Sequence, residues 1–210
     1  MITDGLSPLA VLVFMGAVLT TVVLIITYVV ARLAKRDGVA RIAVRTLLAG
    51  LGVYAVILLT ASLTSRNRVL ALGDEKHICE IDCHLAYSVL GAKSESLPDG
   101  SVREVVTVKV RFDETTIAPW RPKDAPLSPN SRYVALIDGQ NRRFTGSTEA
   151  LKRRLIPGAS YTTDIAFDVP ADARDLRLVL RNDDPETRLI IGHENSLLHG
   201  KTTFALTRAS

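Results

Sequence analysis

Both cysteines and all four histidines of this 210-residue chain fall in two short stretches, His77–His84 and His193–His199. Three chemistries compete for these residue types at these spacings. The run Cys79-Glu-Ile-Asp-Cys83-His84 is one residue longer than a CxxCH haem-attachment motif. That motif needs a tight turn, and this run alternates like a strand. A disulfide suits an exported domain. Two cysteines four apart on a strand, however, have Cα atoms roughly 13 Å apart, and a bridge needs less than about 7 Å. The third chemistry is a metal site. Glu80, Asp82 and His84 fall on one strand face at spacings of about 7 Å. His193, Glu194 and His199 could add nitrogen and carboxylate donors of the kind that suit zinc or copper. The plainer alternative leaves that face solvated, makes the cysteines small core residues and needs no cofactor.

Hydrolase and nucleotide motifs are absent: there is no GxSxG, no HExxH and no Walker loop. The expectation is a non-enzymatic protein. Nucleic acid is set aside as a partner because the positive charge is local. Arg32, Lys35, Arg36, Arg41 and Arg45 face only Asp37, and the rest of the chain is nearly neutral.

The elements that would carry these residues start with a charge-free run, Leu9 to Ala31. A helix of that length covers the roughly 30 Å bilayer core. A second apolar run comes after the basic stretch. The reading is a transmembrane hairpin over 1–63, with helices at about 9–31 and 43–63. Gly16, Ala49, Gly50 and Gly52 would allow close helix approach. Thr20, Thr21 and Thr27 would bond back to their own helix. Asp4, the length of the run and its basic end argue against a cleaved signal peptide. Five basic residues between the spans place that turn in the cytoplasm and both termini on the other side. The expected home is a bacterial inner membrane, crossed more than once. The C-terminal domain would be periplasmic or extracellular, with lipid and other envelope proteins as partners.

Residues 64–76 read as a linker, and 77–210 as an antiparallel sandwich of seven or eight strands. The alternation is plain in Cys79–Val89, Val102–Phe112, Tyr161–Val169 and Leu176–Leu180. Turn signals stand at Pro98-Asp-Gly100, Asp138-Gly139, Pro157-Gly158 and Asn182-Asp-Asp-Pro185. The proline-rich stretch 114–132 breaks the pattern. In it Trp120 either lids the core or, with Arg121, forms a binding loop.

The run Tyr133-Val-Ala-Leu-Ile-Asp138-Gly139, then Leu155-Ile-Pro157-Gly158, Ala166-Phe-Asp-Val-Pro170 and Leu176-Arg-Leu-Val-Leu180 resembles the bacterial domain-of-unknown-function 4352 family. The likeness covers roughly 102–180. It implies an immunoglobulin-like extracytoplasmic domain with a binding or assembly role and no reaction. Family members usually follow a lipidated cysteine, whereas this chain has a helical hairpin. The fold class expected is an all-β immunoglobulin-like antiparallel sandwich behind an α-helical transmembrane hairpin.

If Cys79–Val89 is a strand, both thiols point inward and stay unpaired. They should resist a polar alkylating reagent in the native state and react on denaturation without reduction. Mass spectrometry of alkylated protein checks this, and a disulfide-linked peptide holding both cysteines would mean a turn stands there instead.

Overall fold

A computed structural model describes residues 2–3, 8–78, 84–117, 122–129, 133–182 and 184–206. The chain divides into two units. One holds the two long helices and residues 185–200, and the other holds the strands.

In the first unit, α1 (Pro8–Leu33) and α2 (Asp37–Thr64) form the expected hairpin. Both are long and apolar enough to cross a membrane. Neither is a buried core helix. Among the described side chains of α1 only Ala31 is buried, while Leu12 and Leu19 are about two-thirds exposed. The second helix starts earlier than expected, because Asp37–Ile42 is helical rather than part of the basic loop. Arg32 closes the tight turn by bonding Asp37 at 2.7 Å. The close approach also lies elsewhere. Ala31, Ala40 and Ala43 are buried at the turn end, whereas a side chain built at Gly16, Gly50 or Gly52 would touch nothing. Thr27 does bond back, to the Val23 carbonyl.

The second unit has two five-stranded sheets. Its strands are β1 (Ile2–Thr3), β2 (Arg68–Leu70), β3 (Lys76–Ile78), β4 (Leu85–Ser96), β5 (Val102–Phe112), β6 (Tyr133–Ile137), β7 (Arg143–Thr145), β8 (Ser160–Val169), β9 (Arg177–Arg181) and β10 (Thr202–Ala205). One sheet runs β1-β3-β4-β5-β8, the other β2-β10-β9-β6-β7. Among the described residues all strand pairings are antiparallel except β1 with β3 and β2 with β10, at the sheet edges.

The sheets share one core. Tyr87, Val108, Val110, Phe112 and Phe167 from one meet Val134, Leu136, Leu178, Leu180 and Phe204 from the other. Alternation explains this for β5 and β8, whose even and odd positions respectively turn inward. At Gly146 a Cβ would lie 2.4 Å from the Phe167 ring, so only glycine fits where the end of β7 meets β8.

Two expectations need correction. The 64–76 stretch is more than a linker, since it supplies β2 and begins β3, and Lys76 is fully buried. Residues 185–200 group with the helices, so the sandwich is not the whole of 77–210. In the proline-rich stretch the described residues hold a 3-10 turn at Glu114–Thr116 and a bridge from Leu127 to Leu155.

Phe167 is buried, while the neighbouring Asp168 holds Arg103 through two surface hydrogen bonds. Phe167→Asp should cost at least about 3–5 kcal/mol of a typical total near 5–15, and so unfold the sandwich. Asp168→Asn should shift stability by less than about 1 kcal/mol. Urea denaturation of the two variants tests the register, and equal tolerance would refute it.

Candidate functional site

The strand β3 sends side chains both ways at the edge of its sheet. Its partners across β4 are Tyr87 for Lys76, Ala86 for His77 and Leu85 for Ile78. Lys76 faces the core, and its ammonium donates to Leu180 O on β9 at 2.8 Å and to Thr202 O on β10 at 3.4 Å. His77 faces the opposite side, also fully buried, with Nε2 3.3 Å from Asp113 Oδ2.

Asp113 is the centre of a chain of charges. Arg111 reaches it at 3.3 Å and grips Glu75 through two bonds of 2.9 and 2.7 Å. The Thr115 hydroxyl and amide donate to the other Asp113 oxygen at 2.7 and 3.0 Å, which caps the 3-10 turn. These bonds fix the carboxyl's titration. Burial pushes Asp113 upward. The donors Thr115, His77 and Arg111 outweigh that and hold it well below the usual carboxylate range. Glu75 is lowered chiefly by its bond from Arg111, and Arg111 is raised chiefly by Glu75.

His84 closes this end of the sheet. Its Nδ1 lies 2.6 Å from the Thr116 hydroxyl, and its ring stacks on Phe112 with centroids 5.6 Å apart. Thr116 spends its own proton on Asp113 O at 2.8 Å, so the Nδ1–H of His84 donates to it. The strand expected over Cys79–Val89 is met only from Leu85 onward: β3 ends at Ile78, Ile78 pairs antiparallel with Leu85, and His84 lies ahead of β4. His84, Ala86 and Ser88 are all buried. Cys79, Glu80, Asp82 and Cys83 lie outside the described residues, as do Trp120 and Arg121. His77 and His84 flank the cysteine stretch, and both are fixed through the Asp113 turn.

The other expected donors belong to the helical unit. His193 accepts the Asn195 amide at Nδ1, 2.9 Å away, and His199 Nδ1 bonds the Gly200 carbonyl at 2.8 Å. Glu194 is buried. Among the described residues no three histidine, cysteine, aspartate or glutamate side chains form a group that could hold a metal. The residues that sequence reasoning passes over are Glu75, Lys76, Arg111 and Asp113. The available signal is Arg111-Phe-Asp113 closing the longest alternating strand, directly ahead of a Thr-Thr turn.

Fold and site together define a double-sheet β domain carried on two apolar helices. No family model matches the chain, and no curated protein does. Among solved structures it is similar to MPT63, a secreted protein from Mycobacterium tuberculosis. That match has 12% identity and a TM-score of 0.45, over 68% of this chain and 99% of that one.

Asp113 and Glu75 both titrate lower when folded than when unfolded, so the unfolded chain binds more protons in acid. Their stabilisation is complete above the ordinary carboxylate range of about 4 and is lost as pH falls below it. Asp113→Asn should cost about 2–3 kcal/mol at neutral pH, and the gap should narrow as pH falls below about 4 while part of it persists at about pH 3, where the folded carboxyl is still ionised. Urea midpoints across that range measure it, and an unchanged acid limb would remove Asp113 from this role.

Proposed function

We propose that this chain is a membrane-anchored, extracytoplasmic binding or assembly module that acts through contacts with other envelope proteins and without catalysis. The observation that carries the reading is the pairing of β1 with β3. Ile2–Thr3, ahead of α1, pairs in register with Lys76–His77, beyond α2. Two ends that pair must lie on the same side of a membrane. An even number of crossings satisfies that, and one does not. The apolar surface that both helices leave uncovered supports burial in lipid. The basic residues Arg32, Lys35, Arg36, Arg41 and Arg45 around the turn support a cytoplasmic turn in a bacterial inner membrane.

We read the double sheet as immunoglobulin-like. The residues resembling the 4352 family fall on β6, on the approach to β8, on the end of β8 and on β9, and β6 pairs with β9 along its whole length. That clustering is what supports the family reading. The charge network around Asp113 acts as a clamp on the sheet end, leaving loops and outer faces for partners.

Protease added to intact spheroplasts should degrade the part of the chain after Thr64. Protection until lysis would reverse the orientation and with it the extracytoplasmic role.

A further inference from the structure

The segment 185–200 joins β9 to β10, yet it belongs to the helical unit. The Tyr54 hydroxyl donates to Leu189 O at 2.7 Å, and Gly200 N donates to the Ser65 hydroxyl at 2.6 Å. Tyr54 stands about 15 Å along α2 from its Thr64 end. The uncharged part of α2, Thr46 to Thr64, is about 28 Å long, close to the thickness of a bilayer core. If that part spans, the segment reaches well below the membrane surface.

Its side chains are arranged for such a place. The polar ones turn inward: Thr187, His193, Glu194, Asn195 and Ser196 are buried. Asn195 N bonds His193, Asn195 Nδ2 bonds the Thr187 hydroxyl at 3.1 Å, and the Ser196 hydroxyl bonds the Ile190 carbonyl. The three leucines turn outward, while Ile190 is buried. Leu189, Leu197 and Leu198 are 48%, 51% and 70% exposed. Leu198 holds that position on a left-handed backbone, φ 63°, which bulky side chains rarely adopt. Irregular backbone is tolerated at membrane depth where its polar groups are satisfied within the protein. The exposed charges Glu186 and Arg188 lie in the first turn of the segment. Beneath the segment a cleft of about 690 Å³ opens between the helices, walled by Phe14, Val18, Tyr54, Leu58, Leu189 and Leu197.

We infer that 185–200 is a re-entrant membrane segment. Its outward leucines contact the acyl chains of the leaflet entered by the Thr64 end of α2, and the cleft takes one such chain. This rests on the reading of α1 and α2 as spans, and the test separates the two.

The full-length protein is placed in phosphatidylcholine vesicles, with Trp120→Phe removing the native indole. Leu198→Trp, Leu189→Trp and, as the helix control, Leu12→Trp are each compared. The expected result is that all three indoles lose most of their emission to lipids brominated at mid-chain and are shielded from aqueous acrylamide. Quenching by bromolipid at 12 alone, with 189 and 198 open to acrylamide, overturns the re-entrant segment and keeps the spans. No bromolipid quenching at any position overturns both. Should Trp120→Phe fail to fold, the same three substitutions are read as difference spectra against the parent protein, with the same outcomes deciding.

Discussion

Lys76 carries a positive charge into the space between two sheets, and both sheets must stay where they are to satisfy it. An unpaired ammonium in that position would cost several kcal/mol. Here it donates to carbonyls on β9 and β10 from a strand in the opposite sheet. Sliding one sheet over the other would strand the charge, so the bond fixes their mutual position as apolar packing alone would not. The same three-residue strand turns His77 outward into the Asp113 cluster. One short element thus holds the core on one face and the charge network on the other.

That element is illegible in the sequence for a physical reason. A strand of three residues offers no period to detect, and a lysine beside a histidine reads as solvated. The long strands behave otherwise. Val102–Phe112 alternates over its whole length because one face packs and the other meets solvent, and its limits in the structure are those of the pattern. In β4 the alternation fails at Ala86 and Ser88, which are buried although they oppose Tyr87 and Val89 in direction. Small residues carry too little polarity contrast to announce which way they face. His84 escapes sequence reasoning on similar grounds: its burial depends on Thr116 and Phe112, a turn and a strand end remote in sequence.

The helices are the easiest elements to find, and their detail is the hardest to read. A span in lipid needs apolar residues on all sides, so there is no periodic contrast from which to read its rotation or its close contacts. The contacts settle on alanines at the turn rather than on the glycines, where the three-residue connection between Leu33 and Asp37 holds the ends of the hairpin together.

Neither kind of pattern reaches the segment 185–200. It has no period of two, no period of 3.6 and no long apolar run, so nothing in it marks a surrounding medium. Its His193 and Glu194 read as candidate metal donors, and nothing in the run announces that they are buried. In the folded chain the polar run is inside and all three leucines are outside. Water would reverse that arrangement, since it stabilises exposed polar groups and penalises exposed leucine. Hydrogen bonds to Tyr54 and Ser65 keep the segment against the helices, so its medium is theirs. The inversion is therefore the more economical reading of the segment, given a pair of helices whose own apolar surfaces are left uncovered.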